Sequence, residues 1–197
     1  MRALQGSVRT GAIANLPTRR SITPGEKSLL RGVFETTIPL EDVEVAANVA
    51  NLGGVHNSAT PASLPMFSTD IWCEDFSAAS VCNAYKGTFI HEFMHVWQDC
   101  HGISKIIPAL WLFVRHAGDY ALAYPYDLSN SPNILDYNIE QQAVIIEDWW
   151  RITQSMSPLN NIGVDKAPLS YARYIAQVRG AGLPHTPARP PLPRYNP

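Results

Sequence analysis

The sequence predicts a single α+β domain that is mainly helical and contains a small β-sheet. Three observations lead to this prediction. The chain has 197 residues, an ordinary length for one domain. Several segments repeat apolar residues with the 3.6-residue period of a buried helix, whereas two short segments have the pattern of strands. The 16 prolines indicate many irregular connections between these elements.

The composition narrows the classes of function. The formal net charge is -2, so the chain has no overall positive field that would attract phosphate backbones, and nucleic acid is not expected as a partner. No apolar run reaches the roughly 18 residues that a transmembrane helix needs, so no membrane span is expected. The first 20 residues carry positive charges but lack the apolar core of a secretory signal peptide.

Both ends of the chain are expected to lie outside the core. Residues 1–20 are predicted to be a flexible leader, and residues 183–197, LPHTPARPPLPRYNP, form a proline-rich tail that favours extended polyproline geometry. The tail is interpreted either as a spacer or as a ligand for an aromatic groove of a partner. The folded domain is therefore expected at residues 21–182.

The folded domain is expected to begin with a helix. Thr23 is a good N-cap residue, Pro24 suits the first helical position, and Glu26 completes a capping box. Four apolar residues then follow at helical spacing: Leu29, Leu30, Val33 and Phe34.

Two strands and a loop are expected next. Val43 and Val45 alternate with acidic residues, which predicts a short strand. Residues 57–65 are rich in proline and serine and predict a loop. A second strand is expected within residues 66–73.

The remaining elements are predicted to be helices. Residues 88–99, TFIHEFMHVWQD, have a helical apolar period, and residues 106–121 are strongly apolar. Residues 139–153 have a core face that includes Trp149 and Trp150, and residues 169–178 predict a short last helix.

The three cysteines do not define a site. Cys73, Cys82 and Cys100 lack the CxxC spacing of a metal site and are too few for a disulfide framework. Cys73 and Cys82 could pair in an oxidising compartment. The sequence therefore leaves their redox state open.

The helix at residues 88–99 carries the motif HEFMH. His91 and His95 are four residues apart, so their imidazoles project from one face of the helix and can bind one cation. Glu92 points about 100° away and can take a proton from metal-bound water. Two imidazoles and a carboxylate would be costly to bury in an apolar helix without such a purpose. The motif predicts a Zn²⁺ site for hydrolysis, with Glu92 as the general base.

A catalytic zinc needs a third protein ligand, for which the sequence offers several candidates. His101 has the spacing of the HExxHxxGxxH pattern, but Gln98 stands where that pattern requires glycine. Glu140 lies on a separate predicted helix, 45 residues after His95. This distance along the chain lets a second helix return and complete a His-His-Glu site. Glu140 is therefore favoured. Glu147 and Asp148 are further candidates for this ligand, although they are expected to be solvated residues of the helix surface.

Supporting side chains are also suggested, although each of them is more often a packing or surface residue. Asp136 or Asp148 could accept the second N–H of a metal-bound histidine. Four side chains could donate a hydrogen bond to the oxyanion of a tetrahedral intermediate: Tyr124, Tyr126, Tyr137 and His116.

Four segments between about residues 22 and 155 carry a family resemblance. They are TPGEKSLLRGVFETTIP, EDFSA, FIHEFMHVWQ and YNIEQQAVIIEDWW. Together they resemble the zincin-like metallopeptidase C-terminal effector domains of bacterial type VI secretion spike proteins. The resemblance implies a zincin-like fold, a zinc ion held by His91, His95 and Glu140, and Glu92 as the catalytic base.

The resemblance also implies an antibacterial effector that the secretion apparatus carries, without a signal peptide, into a rival cell, where it acts in the periplasm. The partners it implies are the secretion spike and a peptide or envelope-protein substrate, and an immunity protein is a further candidate. One departure concerns Val144, since thermolysin-type enzymes place an aspartate at that position, four residues after the glutamate ligand.

Two other functions are compatible with the sequence. One is a zinc amidase that acts on peptidoglycan. The other is a non-catalytic, zinc-stabilised binding or adaptor module of the secretion spike. The small sheet is expected to lie beside the helix that carries HEFMH. If the domain is a peptidase, the edge strand of this sheet is expected to line the cleft and pair with an extended substrate.

Overall fold

The computed structural model describes residues 18–48, 58–60, 63–103 and 120–180. Helices dominate these ranges and one small sheet accompanies them, so the predicted α+β class is confirmed. The predicted tail and residues 1–17 of the predicted leader lie outside the described residues. So does most of the helix predicted at residues 106–121, of which the last two residues belong to a 3₁₀ helix, Tyr120–Ala123.

Four short strands form the sheet: β1 (Arg19–Ser21), β2 (Glu44–Asn48), β3 (Ser58–Ala59) and β4 (Met66–Ser68). Their order is β1-β2-β4-β3. β2 pairs antiparallel with β1 and parallel with β4, and β3 pairs antiparallel with β4 at one edge of the sheet. The strands predicted around Val45 and from residue 66 are therefore confirmed.

Two predicted boundaries are corrected by the sheet. Arg19 and Arg20, predicted to belong to the leader, lie in β1 and pair with Ala46 and Val45 of β2. β3 lies inside residues 57–65, which were predicted to be a loop. Strands of two or three residues are too short to show an alternating pattern, and only their pairing with distant strands defines them.

The described residues contain four α-helices: α1 (Pro24–Phe34), α2 (Asn83–Cys100), α3 (Ile139–Thr153) and α4 (Pro168–Val178). The helices predicted after Thr23 and at residues 88–99, 139–153 and 169–178 are thereby confirmed, and α3 has the predicted bounds. α2 begins at Asn83, earlier than the predicted residue 88. The prediction missed this first turn because the turn is polar and lacks an apolar period. Among the described residues, no helix is both long enough and apolar enough to cross a membrane.

The N-terminal capping box is joined to the EDFSA segment. Thr23 and Glu26 form the predicted capping box of α1. The buried carboxylate of Glu26 also accepts two hydrogen bonds from Arg20, both at 2.7 Å, and one from the backbone N–H of Phe76 at 2.7 Å. Asp75 accepts a hydrogen bond from the hydroxyl of Thr23 at 3.0 Å. Two of the segments that carry the family resemblance therefore stabilise each other.

The core fixes α2 against the sheet and the other helices. A chain of aromatic rings runs from β4 to α2, with centroid distances of 4.6 Å from Phe67 to Phe76 and 4.7 Å from Phe76 to Phe89. On another side of α2, the indole of Trp97 donates a hydrogen bond to the carbonyl of Val178 in α4 at 2.9 Å. These contacts leave one face of α2, which carries the HEFMH motif, turned towards α3.

Candidate metal centre

Three predicted ligand side chains meet between α2 and α3. One carboxylate oxygen of Glu140, Oε2, lies 3.3 Å from Nε2 of His91 and 3.4 Å from Nε2 of His95. Among the described residues, these three side chains form a group whose ligand atoms all lie within 4.8 Å of one another. All three are buried, with 1%, 7% and 6% of their surface exposed for His91, His95 and Glu140.

The separations between these atoms fit a small tetrahedral cation. With zinc–ligand bonds of about 2.0–2.1 Å, two ligand atoms of a tetrahedral site lie about 3.3–3.4 Å apart. The distances from Glu140 to the two histidines match this separation. Two imidazole nitrogens and one carboxylate oxygen are also a donor set that catalytic zinc uses.

The start of α3 determines where Glu140 lies. Asn138 caps the helix by accepting hydrogen bonds from the backbone N–H groups of Glu140 and Gln141, both at 2.9 Å. The side chains of Asn138 and Gln141 also tie this turn to the segment that precedes it. Asn138 donates to the carbonyl of Ala123 at 3.0 Å, and Gln141 donates to that of Pro125 at 2.7 Å. The first turn of α3, and with it Glu140, is therefore anchored at several points.

A second carboxylate approaches His91 from the other side of its ring. Oε2 of Glu147 lies 3.3 Å from Nδ1 of His91. Glu147 is 2% exposed, so the expectation that it is a solvated residue of the helix surface is wrong. Its carboxylate fits against α2 because Gly87 has no side chain: a Cβ at that position would lie 3.0 Å from Oε1 of Glu147.

The charges of this cluster favour a cation. Burial by itself would lower the pKa of His91, but interactions with Glu140 and Glu147 outweigh it and raise that pKa to about 10. Burial would raise the pKa of Glu140, yet the two histidines hold it well below its usual range. Since three acidic residues, including Glu92 at 2% exposure, are buried here, a positive charge between the side chains is strongly stabilised.

His95 has a different, uncharged partner. Its Nδ1 lies 2.8 Å from Oε1 of Gln98. The amide of Gln98 donates to the carbonyl of Ile139 and to Oε1 of Gln142, both at 2.9 Å. Gln98 stands at the position where the HExxHxxGxxH pattern requires glycine, and the sequence alone did not suggest this contact.

Glu92, the predicted general base, is held by a residue next to the sheet. The hydroxyl of Thr60 donates to Oε2 of Glu92 at 2.5 Å. Thr60 follows β3 directly and is buried at 9% exposure. The sheet therefore lies beside the helix that carries the motif, as predicted. Thr60 was not among the predicted site residues, since nothing in its local pattern marks it.

His101, the alternative third ligand, faces a different part of the molecule. Its ring stacks on that of Trp97 with a centroid distance of 4.1 Å, and its Nδ1 donates to the carbonyl of Trp97 at 2.8 Å. Trp97 is directed towards α4, not towards Glu140. The structure therefore brings Glu140, and not His101, to the two motif histidines.

The two aspartates suggested as histidine partners bind elsewhere. Asp148 is fully buried and accepts hydrogen bonds from the backbone N–H groups of Leu159 and Asn160 at 2.7 and 3.1 Å, so it fixes a loop instead of lying on a solvated surface. Asp136 is exposed and accepts a hydrogen bond from the hydroxyl of Ser131 at 2.5 Å. Glu147 and Gln98 occupy the positions beside the histidines.

Two of the three tyrosines suggested as oxyanion donors form hydrogen bonds away from the cluster, and the third lies beside it. Tyr126 donates to Asp148 at 2.9 Å, and the hydroxyl of Tyr137 donates to the carbonyl of Asp127 at 2.8 Å, both away from the histidines. The ring of Tyr124 lies 6.0 Å from that of His91. Tyr124 is therefore the predicted tyrosine that the structure places beside the cluster, and His116 lies outside the described residues.

The cysteines are not part of this centre. Cys73 and Cys82 are free thiols in the structure, so the suggested pair between them is not formed, and Cys100 forms no disulfide with either of them. Burial raises the pKa of the Cys73 thiol, which makes it a poorer nucleophile and metal ligand.

Comparisons with known proteins relate this chain to a solved structure and to a curated sequence. The structure is the effector domain of Pseudomonas aeruginosa VgrG2b, which matches with a TM-score of 0.58 and 28% sequence identity over 69% of this chain and 75% of that domain. The sequence is that of the type VI secretion system spike protein VgrG2b of Pseudomonas aeruginosa, which is 31% identical over 135 residues. No family model matches the chain.

This chain corresponds to only a small part of the spike protein. The aligned region covers 66% of this chain but 13% of the spike protein. The similarity therefore concerns the effector domain and not the rest of the spike. In both sequence and fold, this chain is related to the effector domain of a type VI secretion spike protein.

Proposed function

We propose that this chain is a zinc-dependent metallopeptidase of zincin-like fold that acts as an antibacterial effector of a type VI secretion system. The observation that carries the proposal is the spacing of the three ligand atoms of His91, His95 and Glu140. The buried carboxylate of Glu92 belongs to the same motif. The effector role is proposed from the relationship to the VgrG2b effector domain.

In this proposal the residues of the chain divide the work of hydrolysis. Zinc, when bound, lowers the pKa of its water to about 7 and polarises the carbonyl of the scissile bond. Glu92 accepts a proton from the attacking water and later delivers it to the leaving amine. Thr60 holds the Glu92 carboxylate in one orientation through its hydrogen bond. Tyr124 is the candidate donor to the developing oxyanion.

The substrate is proposed to be a peptide or an envelope protein. β3 is an edge strand of the sheet, and the residue that follows it, Thr60, contacts the general base. An edge strand in this place can pair with an extended substrate through backbone hydrogen bonds. The secretion spike is the proposed carrier, the periplasm of a rival cell the proposed site of action, and an immunity protein a candidate partner.

The first experiment measures zinc in the purified protein by elemental analysis. We expect about one zinc per chain in the wild type and in His101→Ala, and a loss in Glu140→Ala, because His101 faces Trp97 while Glu140 faces both histidines. Loss of zinc in His101→Ala with retention in Glu140→Ala would reject the proposed ligand set. A wild type that binds no zinc after reconstitution would reject the metal centre.

The second experiment compares the wild type with Glu92→Gln after export to the periplasm of a susceptible bacterium. The substituted glutamine retains the size of the side chain and an oxygen for Thr60 but cannot accept the proton, so we expect bound zinc and no toxicity. Full toxicity of this variant would reject catalysis and favour an adaptor module. Release of muropeptides from purified sacculi would favour a peptidoglycan amidase over a peptidase.

A further inference from the structure

Two buried glutamines form a hydrogen-bonded connection between α2 and α3. Gln98 is 0% exposed and Gln142 is 3% exposed. Gln98 contacts His95 through Oε1 at 2.8 Å and donates through Nε2 to Gln142 at 2.9 Å. Gln142 in turn donates to the carbonyl of Tyr137 at 2.8 Å. The connection therefore runs from a histidine of the motif to the segment that leads into α3.

The contacts allow one orientation of each amide. Nε2 of Gln98 must donate, because it faces the carbonyl of Ile139 at 2.9 Å. Oε1 of Gln98 is consequently an acceptor, and Nδ1 of His95 must carry the proton that it accepts. With its proton on Nδ1, the imidazole directs the lone pair of Nε2 towards a cation when it acts as a neutral ligand. Nε2 is the nitrogen that faces Glu140.

We propose that Gln98 is a positioning residue for His95: its amide fixes the ring through Nδ1–H and, together with Gln142, ties that ring to the first turn of α3, which carries Glu140. The tie sets the separation between two ligands that come from different helices. This inference rests on the proposed function, because it concerns the binding of zinc by these ligands.

A neutral amide at position 98 suits this acidic surrounding better than a carboxylate would. Glu147 already supplies a carboxylate to His91, and Glu92 and Glu140 are buried nearby. Another carboxylate at position 98 would add a negative charge and would face Oε1 of Gln142 and the carbonyl of Ile139 without a proton to donate. A neutral amide satisfies all three contacts and adds no charge.

Two substitutions separate positioning from simple packing. Gln98→Met keeps the approximate size of the side chain and removes its hydrogen bonds. Gln98→Glu keeps an acceptor for His95 but buries a charge. If the side chain of Gln98 only fills space, Gln98→Met should be both more stable than Gln98→Glu and tighter in its binding of zinc. Positioning predicts opposite orders: Gln98→Met is the more stable variant, and Gln98→Glu binds zinc more tightly.

The measurements are zinc affinity by competition with a chromophoric chelator, thermal stability, and NMR detection of a slowly exchanging Nδ1–H proton of His95 in metal-free protein. We expect Gln98→Met to lose about 10- to 100-fold in zinc affinity and to lose the proton signal. Val33→Ala is the control: it removes buried volume from α1, which carries no ligand, and should lower stability without a change in zinc affinity.

The possible results are distinct. Zinc affinity of Gln98→Met within about threefold of wild type, far short of the loss typical for partners of metal ligands, would overturn the inference. So would the absence of the protected His95 proton in the wild type, even if zinc binds. A wild type that shows this proton but binds no zinc would overturn the proposed function and still support the contact between Gln98 and His95.

Discussion

The carboxylate of Glu147 lies 3.3 Å from Nδ1 of His91, whereas the other ring nitrogen, Nε2, faces Glu140. The two glutamates are seven positions apart on α3, which is about two helical turns, so one helix supplies carboxylates to both sides of the ring. Thermolysin-type enzymes use an aspartate four residues after the glutamate ligand for such support, and here that position is the buried Val144.

Replacement of Glu147 by alanine is expected to weaken zinc binding. A carboxylate on the second nitrogen of a metal-bound histidine fixes the ring and makes it more basic, and loss of such a partner typically costs about 10- to 100-fold in metal affinity. Competition with a chromophoric chelator measures this effect. Glu74→Ala is the control, because Glu74 is exposed and contacts Trp72. Equal affinities in both variants would contradict a role for Glu147.

Replacement of Gly87 by alanine is expected to separate zinc affinity from stability. The added Cβ would press on the Glu147 carboxylate at 3.0 Å and shift it away from His91, so zinc affinity should fall severalfold. The higher helix propensity of alanine, worth about 0.5–1 kcal/mol, offsets part of the steric cost. Gly32→Ala is the matched control on α1, where the Cβ meets no atom within 4 Å.

For Gly32→Ala we expect a gain in stability of about 0.5–1 kcal/mol and unchanged zinc affinity. Chemical denaturation and chelator competition give the two quantities for both variants. An undisturbed zinc affinity in Gly87→Ala would mean that the close approach of α2 and Glu147 is not needed for the centre.

Replacement of Glu26 by alanine is expected to destabilise the fold by about 3–5 kcal/mol, because it leaves the largely buried Arg20 guanidinium without its partner. It also removes the acceptor for the backbone N–H of Phe76. Denaturant unfolding measures the change. Glu41→Ala provides the comparison, since Glu41 is 67% exposed and pairs with Lys27 at the surface. Similar losses in both variants would contradict the structural role assigned to Glu26.

Removal of metal is expected to lower the melting temperature of the wild type. A ligand that binds the folded state alone, at about 1,000 times its dissociation constant, stabilises it by about 4 kcal/mol. Without a cation, the buried carboxylates around His91 lose a compensating charge. Calorimetry with and without a chelator tests this. Glu140→Ala should show little response to the chelator, and an equal response would place the stabilising metal elsewhere.

The link between α1 and the EDFSA segment is expected to weaken in acid. Burial would raise the pKa of Asp75, but hydrogen bonds from Ser77 and Thr23 outweigh it and lower that pKa. Because the folded pKa lies below the unfolded value of about 3.9, the contribution to stability is complete above that pH and is lost as the pH falls through the folded pKa. Asp75→Asn should flatten this part of the stability profile, whereas Asp70→Asn, at an exposed position, should leave it unchanged.

The sequence by itself determined the helices and the residues of the centre that lie in strong local patterns. The capping box of α1 and the bounds of α3 follow from signals within a few residues, and the structure confirms both. The spacing of His91 and His95 places both imidazoles on one helical face, and Glu140 was the favoured third member. The structure brings these three side chains together, while zinc binding stays a prediction.

Only the tertiary structure decided which side chains surround that group. Glu147 and Gln98 contact the histidines, and Thr60 contacts Glu92, because α2, α3 and the end of β3 pack against one another. None of these contacts has a periodic signal, since each joins a residue to a partner whose proximity depends on packing. The two-residue strand β3 was missed for the same reason, because pairing with β4 and not local propensity makes it a strand.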